Sequence, residues 1–123
     1  MRLRFGLALG LAFLPAVAAA QVPGGPGACY EAGICQPLSP EQHNVSLVSS
    51  TALTVPAGAT YAVVCAAVQN VRFTWDGSTT PTASVGFILP SGSCVSLGGA
   101  VIISQFRAIA AVAGGVIDVG YAK

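Results

Sequence analysis

His43 is the one histidine in the 123-residue chain, and imidazole is the side chain best suited to moving a proton near neutral pH. A hydrolytic triad would set a nucleophile and an orienting carboxylate around it. Serines are plentiful, but none stands in a G-x-S-x-G elbow, the sharp turn that presents a nucleophilic hydroxyl. In Pro-Glu-Gln-His-Asn (Pro40 to Asn44) the ring reads instead as a solvated loop histidine ahead of the first strand. Glu31 and Glu41 are the carboxylates that could form an acid/base pair. Both flank a proline-rich stretch, where their simpler role is to keep it soluble. The inventory for general acid–base chemistry is nearly empty, so no catalytic residue, cofactor site or metal site is assigned.

Four cysteines make the other chemistry-bearing set: Cys29, Cys35, Cys65 and Cys94. A zinc centre wants four ligands at short, regular spacing, and the chain has no C-x-x-C and no histidine beside a cysteine pair. An even number of cysteines behind a leader reads as two disulfides in an oxidising compartment. Three pairings are possible. Nearness in sequence favours Cys29–Cys35 as a local staple and Cys65–Cys94 as the core bridge, the second worth about 3–4 kcal/mol from loop closure.

Three further residues form a candidate contact surface: Arg72, Asp76 and Trp75. Arg72 and Asp76 fall on one face of one strand, where they could meet a ligand or a neighbouring subunit. The structural alternative has Asp76 organising the Asp-Gly turn and Arg72 pairing with a carboxylate across the sheet. Trp75, Phe73 and Tyr61 could build an aromatic platform for a sugar, although Phe73 and Trp75 share the parity of Val71 and should be core. Asn44-Val45-Ser46 is a formal glycosylation sequon, a triplet common by chance.

The elements that must position these residues follow a leader. Arg2 and Arg4 precede an apolar run from Phe5 to Val17, and Ala18-Ala19-Ala20 supplies small residues for cleavage, together the pattern of a secretory signal peptide over residues 1–20. The run is shorter than the roughly 20 apolar residues that span a bilayer, so no membrane insertion is expected after cleavage. From Gln21 onward the charges are Glu31, Glu41, Asp76 and Asp118 against Arg72, Arg107 and Lys123, a formal −1. No basic stripe exists to neutralise phosphates, which disfavours nucleic acid. A surface this poor in charge suits a subunit whose faces are covered by neighbours, and equally a small Ser/Thr-rich secreted domain that tolerates a neutral surface.

Residues 21–43 read as a Pro/Gly-rich, disulfide-stapled lead-in that Pro37 and Pro40 keep irregular. Residues 44–123 read as one all-β domain. Val45, Leu47, Leu53 and Val55 share a parity; Tyr61, Val63 and Cys65 continue it, while Val64 and Val68 make that strand apolar on both sides, as a central strand should be. Val71 to Asp76 is the cleanest alternating strand. Asp76-Gly77, Pro90-Ser91-Gly92, Gly98-Gly99 and Gly114-Gly115 then punctuate strands at Val85–Leu89, Cys94–Leu97, Val101–Ile109 and Val116–Tyr121. Seven or eight short strands at steps of roughly ten residues predict an antiparallel β-sandwich or jelly-roll-like domain, with no helix after the leader.

The stretch V-R-F-T-W-D-G-S-T-T-P-T-A-S-V-G-F-I-L-P-S-G (Val71 to Gly92) resembles a block in small all-β bacteriophage and prophage structural proteins. In that block a V-R-x-x-x-D-G strand end leads through a P-T-x-x-x-G loop to an apolar strand. Phe106-Arg107-Ala108-Ile109, with a glycine turn and a closing strand ending in Tyr121, is similar to its continuation, so the likeness covers about residues 45–123. It implies a virion or tail-associated subunit that assembles, with no catalytic residue to carry over. The leader and the cysteines depart from it, because phage structural proteins assemble in the cytoplasm.

Taken together, these readings predict an exported, non-catalytic structural or assembly subunit, homo-oligomeric and located in the bacterial periplasm or outside the cell. The alternative is a secreted or periplasmic module that binds a carbohydrate or another envelope component through the Asp76–Thr82 loop and its aromatic neighbours.

Overall fold

The computed structural model describes residues 36–123; the leader, Glu31 and the expected Cys29–Cys35 pair lie outside them. Eight strands form two four-stranded sheets, and every neighbouring pair is antiparallel. Sheet A has the order β1 (Pro37–Ser46), β8 (Val116–Ala122), β3 (Tyr61–Ala66), β6 (Cys94–Gly98). Sheet B has the order β2 (Thr51–Ala52), β7 (Arg107–Ala110), β4 (Val71–Thr74), β5 (Phe87–Leu89). Successive strands alternate between the sheets except at the β4–β5 hairpin. This is a β-sandwich with jelly-roll connectivity, the architecture expected from the strand spacing.

Alternation explains the core. In β8, Ile117, Val119 and Tyr121 point inward and are buried, while Asp118 and Gly120 face out. In β4, Val71 and Phe73 go in and Arg72 goes out. β3 lies between β8 and β6, and Val63 and Val64 are both buried on its opposite faces, as its central place requires, whereas Val68, read as part of the same strand, falls beyond its end and is exposed. Between the sheets Leu47, Val64, Leu97, Ile103, Phe106, Ile117 and Val119 make up the heart of the core, and Phe106 stacks on Phe73 with centroids 5.5 Å apart.

Two elements differ from the sequence reading. β1 begins at Pro37, inside the segment read as an irregular lead-in. It is an edge strand, where a missing proline N–H leaves no ladder bond unmade, and its register on β8 slips between Leu38 and Gln42 and again between Gln42 and Val45. Residues read as one strand from Val101 to Ile109 divide into a short helix α1 (Ala100–Gln105) and β7. After Gly99, at φ 99°, the chain must cross from the edge of sheet A into sheet B, and one helical turn covers that step while sinking Ile103 into the core. Valine and isoleucine favour strands only where a sheet surface awaits them. Here packing overrides propensity.

Gln42, pointing in from β1, ties this edge to the core. Its Oε1 accepts the Tyr121 hydroxyl at 2.6 Å and the Thr54 amide at 3.0 Å. Burial pushes the Tyr121 hydroxyl up to about 12, above the ordinary tyrosine value near 10. The folded state then keeps a proton that the unfolded chain releases, so this contribution is fully present below pH ~10 and lost as pH rises toward ~12. Urea titrations across that window should show falling stability, and Tyr121→Phe should flatten the fall while costing about 1 kcal/mol at neutral pH for the lost hydrogen bond. An alkaline slope unchanged in Tyr121→Phe would contradict this assignment.

Candidate functional site

The three candidate contact residues occupy the β4–β5 hairpin, and each does something different. Arg72 donates from Nε to the Ala83 carbonyl and from Nη1 to the Gly86 carbonyl, both at 2.9 Å. It therefore clamps the loop onto its own strand rather than pairing with a carboxylate across the sheet, because the folded-back loop presents carbonyls where that carboxylate was expected. Asp76 organises its turn as expected. Its carboxylate accepts the Ser78 and Thr79 amides and both their hydroxyls, and the Thr79 hydroxyl above all holds it far below the ordinary carboxylate range.

Trp75 is not core. It lies one residue beyond the last paired residue of β4, where the opposite sheet no longer covers it, and it is 38% exposed. Its ring packs on Phe87 at 5.2 Å and on Phe73 at 5.3 Å, so the aromatics run from buried Phe106 through Phe73 to the surface. Phe87 itself is 59% exposed, and Ile88 and Val85 beside it are also exposed. Trp75, Thr74, Asp76, Thr79, Gly86 and Phe87 enclose a shallow hollow. Tyr61 does not join this platform: it belongs to β3 in the other sheet, where its hydroxyl donates to Ser96 Oγ at 2.9 Å.

A second group gathers on the outer face of sheet A. His43 is part of β1 rather than a loop before it, and its ring lies between two carboxylates: Nε2 is 3.3 Å from Glu41 and Nδ1 is 3.7 Å from Asp118. Asp118 also accepts the Asn44 amide at 2.8 Å, with Asn44 at φ 52° in the irregular part of β1. Glu41, a candidate acid/base partner for Glu31 on sequence, thus meets His43 and, through it, Asp118. Both ring nitrogens face carboxylates, so neither is turned toward a hydroxyl nucleophile. Sequence reasoning missed this group because Asp118 belongs to the far end of the chain; the one usable signal was parity, which puts Asp118 and Gly120 outward on β8.

These three residues border a depression of about 260 Å³ whose lining includes Tyr61, Val63, Cys65, Gly120 and Ala122. The Cys65–Cys94 disulfide, formed as the sequence suggested, joins directly paired residues of β3 and β6. Among the described residues no cluster of three or more His, Cys, Asp or Glu side chains could hold a metal ion. Compared with known proteins, the chain matches no family model, no curated protein and no solved structure.

Proposed function

We propose that the protein is an exported, non-catalytic structural subunit that assembles with copies of itself. The observation that carries this reading is the apolar margin of sheet B. β5 is the outermost strand, its far edge has no strand partner among the described residues, and Phe87 and Ile88 lie exposed on it, with Val85 exposed just before it and Trp75 exposed at the end of β4 beside it. An open edge with large apolar side chains is a template for pairing with another chain, and soluble monomers usually guard such edges with charge. This margin is also the hairpin that resembles phage structural proteins. The leader pattern and the Cys65–Cys94 disulfide support export.

The test is light scattering after size exclusion on oxidised protein starting at Gln21. An oligomer is expected, with Ile88→Glu, at an exposed position of the same edge, weakening association about tenfold or more while stability changes by under about 1 kcal/mol, as for surface substitutions. A wild-type protein that stays monomeric at high micromolar concentration would overturn the proposal.

One observation favours a second reading, a periplasmic or secreted module for a carbohydrate or envelope component. The half-open Trp75–Phe87 pair stands beside the polar Asp76 turn in one hollow, a ring face next to polar backbone and side chains of the kind that suits a sugar. Glycan-array binding that disappears in a folded Trp75→Ala variant would support it; an array without signal would remove it.

A further inference from the structure

The depression on sheet A is built by register. Val63 pairs with Gly120 on one side and Ser96 on the other, Tyr61 pairs with Ala122, and Cys65 pairs with Asp118 and Cys94. On the outer face, therefore, Tyr61 closes one end, the disulfide closes the other, and between them Gly120 contributes no side chain. Val63 is only 9% exposed although it faces away from the core, because these walls rise around it. A glycine inside a central strand weakens the strand, and one reason to find it there is the close approach of another molecule. Nothing in the packing demands it: a Cβ at Gly120 would meet only Glu41 Oε1, at 4.0 Å.

Chemistry at the rim selects the occupant. Glu41 and Asp118 are two carboxylates against the single imidazole of His43, so the rim is anionic whatever the protonation of that ring. Among the described residues no lysine or arginine pairs with either acid; their ion-pair contacts are with His43. The floor and walls are apolar and aromatic. At about 260 Å³ the space lies below the roughly 300–1,000 Å³ of drug-sized sites, which suits a group as large as one side chain.

We propose that this depression binds an organic cation with an apolar stem, an alkylammonium or alkylguanidinium, its stem over Gly120 and Val63 and its charge at Glu41 and Asp118. This site is separate from the sheet B margin and does not depend on assembly. The cation can come from a free small molecule or from a second copy of the chain. Arg72 is committed to its own loop, so a second copy would present Arg107 or Lys123, both exposed.

The experiment is an amide-resolved NMR titration of the oxidised protein with n-butylammonium, against n-butanol as the uncharged control. Saturable shifts at Glu41, Val63 and Gly120 are expected, with butanol about tenfold weaker. Glu41→Gln/Asp118→Asn should weaken the probe by about five- to tenfold, the scale of two exposed ion pairs. Gly120→Val should fill the hollow, keep the fold and remove binding. No saturable shift at tens of millimolar, equal binding of butanol, or undiminished binding by folded Gly120→Val would each overturn the proposal. Source is decided without probe. If the same resonances move as the wild-type protein is concentrated but not in Arg107→Ala/Lys123→Ala, a second copy supplies the cation; if they stay still while butylammonium binds, the ligand is a free molecule.

Discussion

Gly86→Ala is expected to destabilise the protein by about 3 kcal/mol or more, the combined scale of a disfavoured backbone and an overpacked contact. Gly86 has φ 114°, and a Cβ built there would lie 2.8 Å from the Phe73 backbone oxygen and 3.3 Å from its carbonyl carbon and nitrogen. These obstacles are backbone atoms of the strand that anchors the hairpin, so no side chain can rotate away. The same residue offers the carbonyl that Arg72 clamps, and its displacement would release the loop between the strands. Gly92→Ala is the control. Gly92 also has positive φ, at 80°, but nothing lies within 4 Å of its added Cβ, so only the conformational cost of about 1–2 kcal/mol should appear. Urea unfolding of both variants, with m-values compared, separates the two effects. Equal losses in Gly86→Ala and Gly92→Ala would show that the contact with Phe73 does not constrain the hairpin.

Replacing the core bridge, Cys65→Ser/Cys94→Ser, should cost about 3–4 kcal/mol, the loop-closure entropy of the enclosed chain. For a domain whose total stability is expected near 5–15 kcal/mol, that is a large share. The consequence is also local. Among the described strands β6 is the outer one of sheet A and pairs with β3 alone, and Cys65 and Cys94 face each other at one end of that pairing. Without the bridge, β6 should exchange its amides faster than β3 and β8, which are held on both sides. Serine substitution is preferable to reductant, which would act on every cysteine in the chain. A double variant within about 1 kcal/mol of wild type, with β6 amides still protected, would show that backbone pairing suffices to hold this edge.

Much of the fold could be read from local pattern. The parity of Val71, Arg72 and Phe73 set one side chain out and two in, and the sheet repeats it. The glycine and proline pairs marked most turns correctly, and Asp76 organises the turn that its Asp-Gly step suggested. Parity alone placed Trp75 with Val71 and Phe73, however, and that inference ran past the end of β4. Alternation tells which way a side chain points but not how far the opposite sheet extends to cover it. The run from Val101 to Ile109 failed for a related reason: its residues suit a strand, yet the crossing between sheets left the first part without a partner, and it coiled into α1.

Elements whose form depends on their own residues were legible before folding: the alternating strands, the glycine turns, the low charge and the closeness of Cys65 and Cys94 along the chain. Pairing between distant strands had to settle the rest. Glu41 and His43 meet Asp118 only because β1, the first strand, lies against β8, the last, with two slips in register. The hollow exists only because Gly120 falls opposite Val63 rather than one residue away. Side chains alternate with a period of two, so a one-residue slip would turn Gly120 inward and bring a core residue to the surface. Hydrophobic periodicity fixes which face is buried; the register of non-local pairing determines which groups meet on the other face.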